Sequence, residues 1–116
     1  MTNAYQYLLH EPDDLAATLS DVQTVRITDN NEEIIDIIAA SDEYGHWAHG
    51  YRVYWANGRQ SFLNPSLENG WFNSKREAML FVTGFMSNYT EYFTEPSRQA
   101  IQNSLNSLLQ SSINFA

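Results

Sequence analysis

The chain has no cysteine, a single lysine, three prolines and five scattered glycines among its 116 residues. Without thiols it forms no disulfide, no Cys-ligated zinc site, no iron–sulfur cluster and no thiolate nucleophile, so its stability rests on packing. Lys75 stands in no phosphate-cradling glycine loop and no serine occupies a Gly-x-Ser-x-Gly elbow, which removes the sequence basis for nucleotide-dependent or hydrolase chemistry. No run approaches the ~20 apolar residues of a membrane span. The segment Met1–Gln6 also lacks the basic start and apolar run of a signal peptide. The expectation from these two absences is a cytoplasmic protein with no membrane contact.

Positive charge is also scarce, and its scarcity is uneven. The net charge is −8. Residues 1–43 carry ten acids against Arg26 alone, whereas residues 44–116 carry four acids against Arg52, Arg59, Lys75, Arg76 and Arg98. Such a surface repels phosphate backbones, which disfavours direct nucleic-acid binding, and it favours a protein partner with a basic surface.

Hydrophobic and aromatic residues are plentiful, at 43% and 14%, enough to offset a backbone ordering cost of roughly 1–2 kcal/mol per residue. A single domain over residues 1–116 is expected, with an acidic part at 1–43 and a helical pair at 74–113. Pro12 followed by Asp13 and Asp14 reads as the first turn of a short N-terminal helix carrying Leu15, Ala16 and Leu19 on one face. Val25 and Ile27 then alternate with polar residues in a half-buried strand, closed by the turn cluster Asp29-Asn30-Asn31. Residues 33–40 fit two patterns. Four isoleucines favour a strand paired back on the first, which is the preferred reading, while the acidic cap Glu32-Glu33 and i, i+3, i+4 spacing also fit a helix.

Further on, Tyr51, Val53 and Trp55 alternate with Arg52 and Tyr54 before Asn57-Gly58, a dipeptide that signals a two-residue hairpin turn with both residues at positive φ. Arg59–Leu63 is the returning strand. Ser74-x-x-Glu77 is a capping box that starts a helix near residue 75. That helix is apolar over much of its circumference and is expected to keep little free surface. A second helix begins at Thr94-Glu95-Pro96 and carries a stripe of Ile101, Leu105, Leu108, Leu109 and Ile113. The expected fold is α+β: a short N-terminal helix, a three- to four-stranded antiparallel meander and two C-terminal helices packed on one face. Two uses are open for the stripe on the last helix: packing on the first helix of its own chain, or a homodimer interface.

The chemistry-bearing residues assign no catalytic role, no cofactor and no metal. His46 and His49 stand three apart after Asp42 and Glu43, yet no third ligand at a defined spacing accompanies them, so two exposed loop or strand-edge histidines are the simpler reading. Asp36 among its isoleucines is the one carboxylate with an apolar sequence neighbourhood, and a solvent-facing strand position is expected for it. Two binding readings follow. In the first, a non-catalytic protein-binding module, of the kind phage and mobile-element inhibitors provide, sets an acidic face of Asp29, Glu32, Glu33, Asp36, Asp42 and Glu43 into a basic site and so imitates nucleic acid. In the second, Tyr44, Trp47, Tyr51 and Trp55 form an aromatic platform on the sheet for single-stranded nucleic acid or a small ligand.

Overall fold

The computed structural model describes residues 19–114, so the expected helix around Pro12 lies outside the described residues. Four strands come first: β1 (Asp21–Asp29), β2 (Glu33–Ser41), β3 (Trp47–Trp55) and β4 (Gln60–Leu63). They pair antiparallel in the order β1-β2-β3-β4, a meander with β1 and β4 at its edges. Two helices follow, α1 (Lys75–Ser87) and α2 (Glu95–Asn114), separated by a 3-10 turn at Thr90–Tyr92. The architecture is α+β.

Residues 33–40 are strand. β2 is an inner strand whose residues are buried on both faces apart from Ile34, which explains why the sequence shows a continuous apolar run rather than clean alternation. Glu33, Ile35, Ile37 and Ala39 lie on one face, and Ile34, Asp36, Ile38 and Ala40 on the other. The first face meets the helices: Ile35, Ile37, Ala39 and Val53 form one cluster with Ala78, Met79, Val82, Met86, Phe93 and Ile101. The register places Trp55, Val53, Tyr51, His49 and Trp47 of β3 opposite Glu33, Ile35, Ile37, Ala39 and Ser41, and hence on this same helix-bearing face.

Local chemistry fixes the ends of the elements. Asn30 closes the β1–β2 hairpin by accepting the Glu32 and Glu33 amides at its side-chain oxygen, at 2.8 and 2.9 Å. The capping box forms as the sequence indicates on one side, with Ser74 Oγ accepting the Glu77 amide at 3.1 Å. Its reciprocal bond shifts by one residue, because the Glu77 carboxylate accepts from the Asn73 amide, 3.3 Å away, rather than from Ser74.

The β3–β4 turn differs from the expected two-residue form. Gly58 N–H donates to the Trp55 carbonyl and Trp55 N–H to the Arg59 carbonyl, both at 2.9 Å, so the loop is Ala56-Asn57-Gly58. Gly58 supplies the positive φ, at 90°. The Asn57 side chain accepts the Arg59 amide at 2.9 Å, and it is this bond that commits the dipeptide to a three-residue loop ending in glycine.

Helix α1 keeps more surface than its composition indicates. Phe81 and Phe85 are 48% and 41% exposed, because α1 packs mainly on β2 and β3 and so leaves the flank toward the short edge strand open. On α2, Ile101 is buried, Leu105 and Leu108 are half-buried and Leu109 is exposed, so the stripe is only partly used by the described core. Among the described residues no helix is long and apolar enough to cross a membrane.

Candidate functional site

The open flank beside α1 holds a cleft of about 490 Å3. Its floor is the helix-bearing face of β3 and β4, with Tyr51, Val53, Trp55 and Ser61; its wall is the C-terminal half of α1 and the 3-10 turn, with Phe85, Met86, Tyr89, Tyr92 and Phe93; Arg59 and Gln60 stand at the rim. The rings are coupled. Tyr51 stacks on Phe85 with centroids 6.0 Å apart, Phe85 meets Tyr89 at 4.9 Å, and Trp55 lies nearly parallel to Phe93 at 6.0 Å. Trp55 is further fixed by its indole N–H, which donates to the Tyr92 carbonyl at 3.0 Å. The Arg59 guanidinium sits 5.5 Å from the Trp55 ring centroid, a cation–π position that holds the side chain while its outer N–H groups remain available.

Among the described residues the cleft is lined by no carboxylate and no histidine. It is a concave, largely apolar volume within the size range of ligand pockets, with a few polar groups converging at its mouth.

Of the expected aromatic platform, Trp47, Tyr51 and Trp55 share the helix-bearing face at four-residue spacing, and Tyr51 and Trp55 line the cleft. Trp47 lies at the opposite end of β3, bridged to Phe72, and Tyr44 is 76% exposed in the β2–β3 connection. The wall residues Phe85, Tyr89, Tyr92 and Phe93 were not marked by the sequence as a site. The 85-to-89 spacing of four residues was the available signal, since it stacks rings on one side of a helix end.

The six acids do not share a face. Asp29 and Glu32 are exposed at the β1–β2 turn and Glu43 at the far end of β2, a separation of roughly 30 Å at ~3.3 Å per residue of strand. The other three carboxylates are engaged internally. Glu33 faces the helices and accepts from Thr94 and Ser97. Asp36, expected at a solvent-facing position, is 4% exposed and held by Arg26 through two bonds of 2.9 and 3.3 Å, because β2 is covered on both faces. Asp42 is buried and closes the β2–β3 connection by accepting the Tyr44 and His46 amides and pairing with His46 Nδ1 at 2.7 Å. Burial acts to raise the Asp42 carboxyl, but the bonds from His46 and Tyr44 outweigh it and hold the group below the ordinary carboxylate range.

The two histidines part company. His46 is half-buried beside Asp42 and packs on Trp71 with centroids 4.1 Å apart. His49, expected to be exposed, is 6% exposed and sits edge-on to Phe81 at 4.8 Å. Its Nδ1 has no hydrogen-bond partner among the described residues. Among those residues no group of three or more metal-ligating side chains comes together.

No known protein family, curated protein or solved structure matches the chain. The functional reading therefore stands on the geometry of the site.

His49 also sets a pH response. Burial lowers its pKa below the ordinary histidine value of 6.5, so between that value and the folded-state pKa the unfolded chain binds a proton that the folded chain does not. Stability therefore falls as pH drops below 6.5 and stops falling on this account once the folded-state pKa is passed. Thermal melts from pH 7.5 to 5 are expected to show a falling midpoint for the native chain and a flatter profile for His49→Leu. Parallel profiles for the two proteins would show that His49 does not carry the effect.

Proposed function

We propose that the protein is a non-catalytic protein-binding module whose contact surface is the aromatic cleft and the ridge of rings beside it. The observation that carries this reading is the run of exposed rings on that flank: Phe81 at 48%, Phe85 at 41%, Tyr89 at 44% and Tyr92 at 55%. Rings this exposed and this closely spaced form the kind of apolar patch that marks contact sites. Tyrosine, tryptophan and arginine are also the residue types that dominate binding energy at protein interfaces, and Tyr51, Tyr89, Tyr92, Trp55 and Arg59 surround one hollow. The alternative contact, an acidic face, would have to work through Asp29, Glu32 and Glu43, which stand at opposite ends of the sheet.

Two variants separate these contacts. The double substitution Phe85→Ala/Tyr89→Ala removes the cleft wall, and the triple reversal Asp29→Lys/Glu32→Lys/Glu43→Lys removes the exposed acids. Immobilised native chain is expected to capture its partner from host extract at low and high salt. The aromatic double variant is expected to lose about 30-fold or more of that capture, the scale of a hot-spot truncation, while the triple reversal retains it. Capture lost at high salt and in the triple reversal, but kept by the aromatic variant, would assign the contact to the acids and overturn the proposal.

A further inference from the structure

We infer that the cleft receives an extended segment of the partner, which adds as a strand to the free edge of β4, buries an aromatic side chain against Tyr51, Trp55 and Phe85, and pairs an acidic residue with Arg59. The inference rests on the aromatic-contact reading above and names what that contact recognises.

Three observations converge on it. The first is the sheet edge: β4 is the last strand of the meander and borders the cleft through Ser61 and Gln60. The Trp55 amide bonds the Arg59 carbonyl at 2.9 Å. Antiparallel pairs alternate between bonded and non-bonded, so Val53 with Ser61 and Tyr51 with Leu63 are the next bonded pairs. The amides and carbonyls of Gln60 and Phe62 therefore point away from β3, toward an edge on which no described strand pairs. A strand added there by an incoming peptide satisfies them.

The second observation is the facing of the side chains. Ser61 pairs with Val53, a core residue, and so lies on the helix-bearing face. A residue of the incoming strand opposite Ser61 points the same way, into the hollow walled by Phe85 and Tyr89. Ser61 is small, which leaves room above the strand for a ring from the partner.

The third is charge. Arg59 is positioned on Trp55, and no carboxylate among the described residues comes within ion-pair distance of it, in a chain with fourteen acids. By contrast Arg26 pairs with Asp29 and Asp36, and Arg98 with Glu95. An oriented guanidinium at the mouth of a hollow lined by no acid among the described residues is complementary to an anionic residue on the ligand, and a carboxylate matches its fork of donors.

The test uses the full chain, labelled with 15N, and synthetic peptides. The probe is an acetylated, amidated heptapeptide of threonine with a central phenylalanine and an aspartate two positions to either side, so that ring and carboxylates share one face of a strand. Expected are shifts of the Gln60 and Phe62 amides and of the Trp55 indole N–H. A lysine-for-aspartate peptide is expected to bind at least about tenfold more weakly, and Arg59→Gln to abolish that preference, on the scale of a charge-assisted hydrogen bond. Two further peptides carry backbone N-methyl groups on the phenylalanine and aspartates, or on the threonines. Edge addition turns alternate N–H groups toward β4, so only one of the two is expected to bind.

Equal binding of both methylated peptides, no preference for aspartate, or stronger shifts with a short oligothymidylate than with any peptide would each overturn the inference. If no peptide binds while Phe85→Ala/Tyr89→Ala still abolishes partner capture, the strand-addition inference fails and the aromatic-contact reading survives.

Discussion

Replacing Glu33 by alanine is expected to destabilise the protein by about 3 kcal/mol, as read from urea denaturation, and to raise amide exchange in the first turns of α2. Glu33 opens β2 with 4% of its surface exposed, and its carboxylate stands at the start of α2. One oxygen accepts from Thr94 Oγ1 at 2.7 Å and from Ser97 Oγ at 2.5 Å, and both oxygens lie 3.3–3.4 Å from the Thr94 amide. Asn30 adds a bond from its side-chain amide to Ser97 Oγ at 2.9 Å. A carboxylate here satisfies buried donors and complements the positive end of the helix dipole. Alanine removes the acceptor and leaves the buried Ser97 and half-buried Thr94 groups without it, where each buried unsatisfied group costs about 1–3 kcal/mol. Glu33→Gln keeps an acceptor oxygen and is expected to lose only about 1 kcal/mol. A loss below ~1 kcal/mol for the alanine variant would mean that water reaches the Thr94 and Ser97 hydroxyls and replaces the carboxylate.

Glu33 also shows where sequence reading stops. In the chain it is one of a pair of acids after a turn, with nothing to distinguish it from exposed Glu32. Its partners lie 61 and 64 residues away, and no local pattern encodes a contact of that span. Asp36 and Asp42 repeat the lesson with nearer partners: Arg26 is ten residues from Asp36 and becomes its neighbour only through the β1–β2 register. What was legible is what short-range physics determines. Ser74 and Glu77 mark the start of α1 because a cap needs only four residues, and Glu95-Pro96 marks the start of α2. Asn57-Gly58 located a hairpin correctly while misassigning its loop length, since the side-chain bond from Asn57 to the Arg59 amide is a second local solution for the same dipeptide.

The cleft was half legible for a related reason. Alternation placed Tyr51, Val53 and Trp55 on one face of a strand, which is the floor. The wall depends on where α1 lies across the sheet, and its rings read as core because an apolar helix surface and an exposed aromatic ridge have the same composition. What separates the two is that α1 packs mainly on β2 and β3 rather than over β4, and that follows from packing rather than from periodicity.

Gly50→Ala tests the part of the fold that holds this edge, and it is expected to cost about 2–3 kcal/mol, in the range of overpacked interiors. Gly50 lies buried in β3 opposite Ile38. A Cβ there would collide with the Leu63 carbonyl and approach the Pro65 ring and nitrogen to 2.9 and 3.0 Å. Backbone obstructs it on one side and a rigid ring on the other, so relief requires β4 or the segment after it to move away from β3. The control is Gly84→Ala in α1, where a Cβ meets nothing within 4 Å. That substitution is expected to be neutral or to stabilise by up to ~1 kcal/mol through helix propensity. The two alanines thus differ by about 2 kcal/mol or more, which urea midpoints resolve directly. The Gly50 variant carries a second readout, because displacing Leu63 shifts the β3–β4 ladder and with it Ser61, Gln60 and the seat of Arg59. Binding of the aspartate-bearing peptide is therefore expected to weaken in Gly50→Ala even where the chain remains folded, and to stay unchanged in Gly84→Ala. A Gly50 variant as stable as the native chain would show that Pro65 yields freely, and that the close approach of β4 to β3 at this point is not what fixes the edge strand.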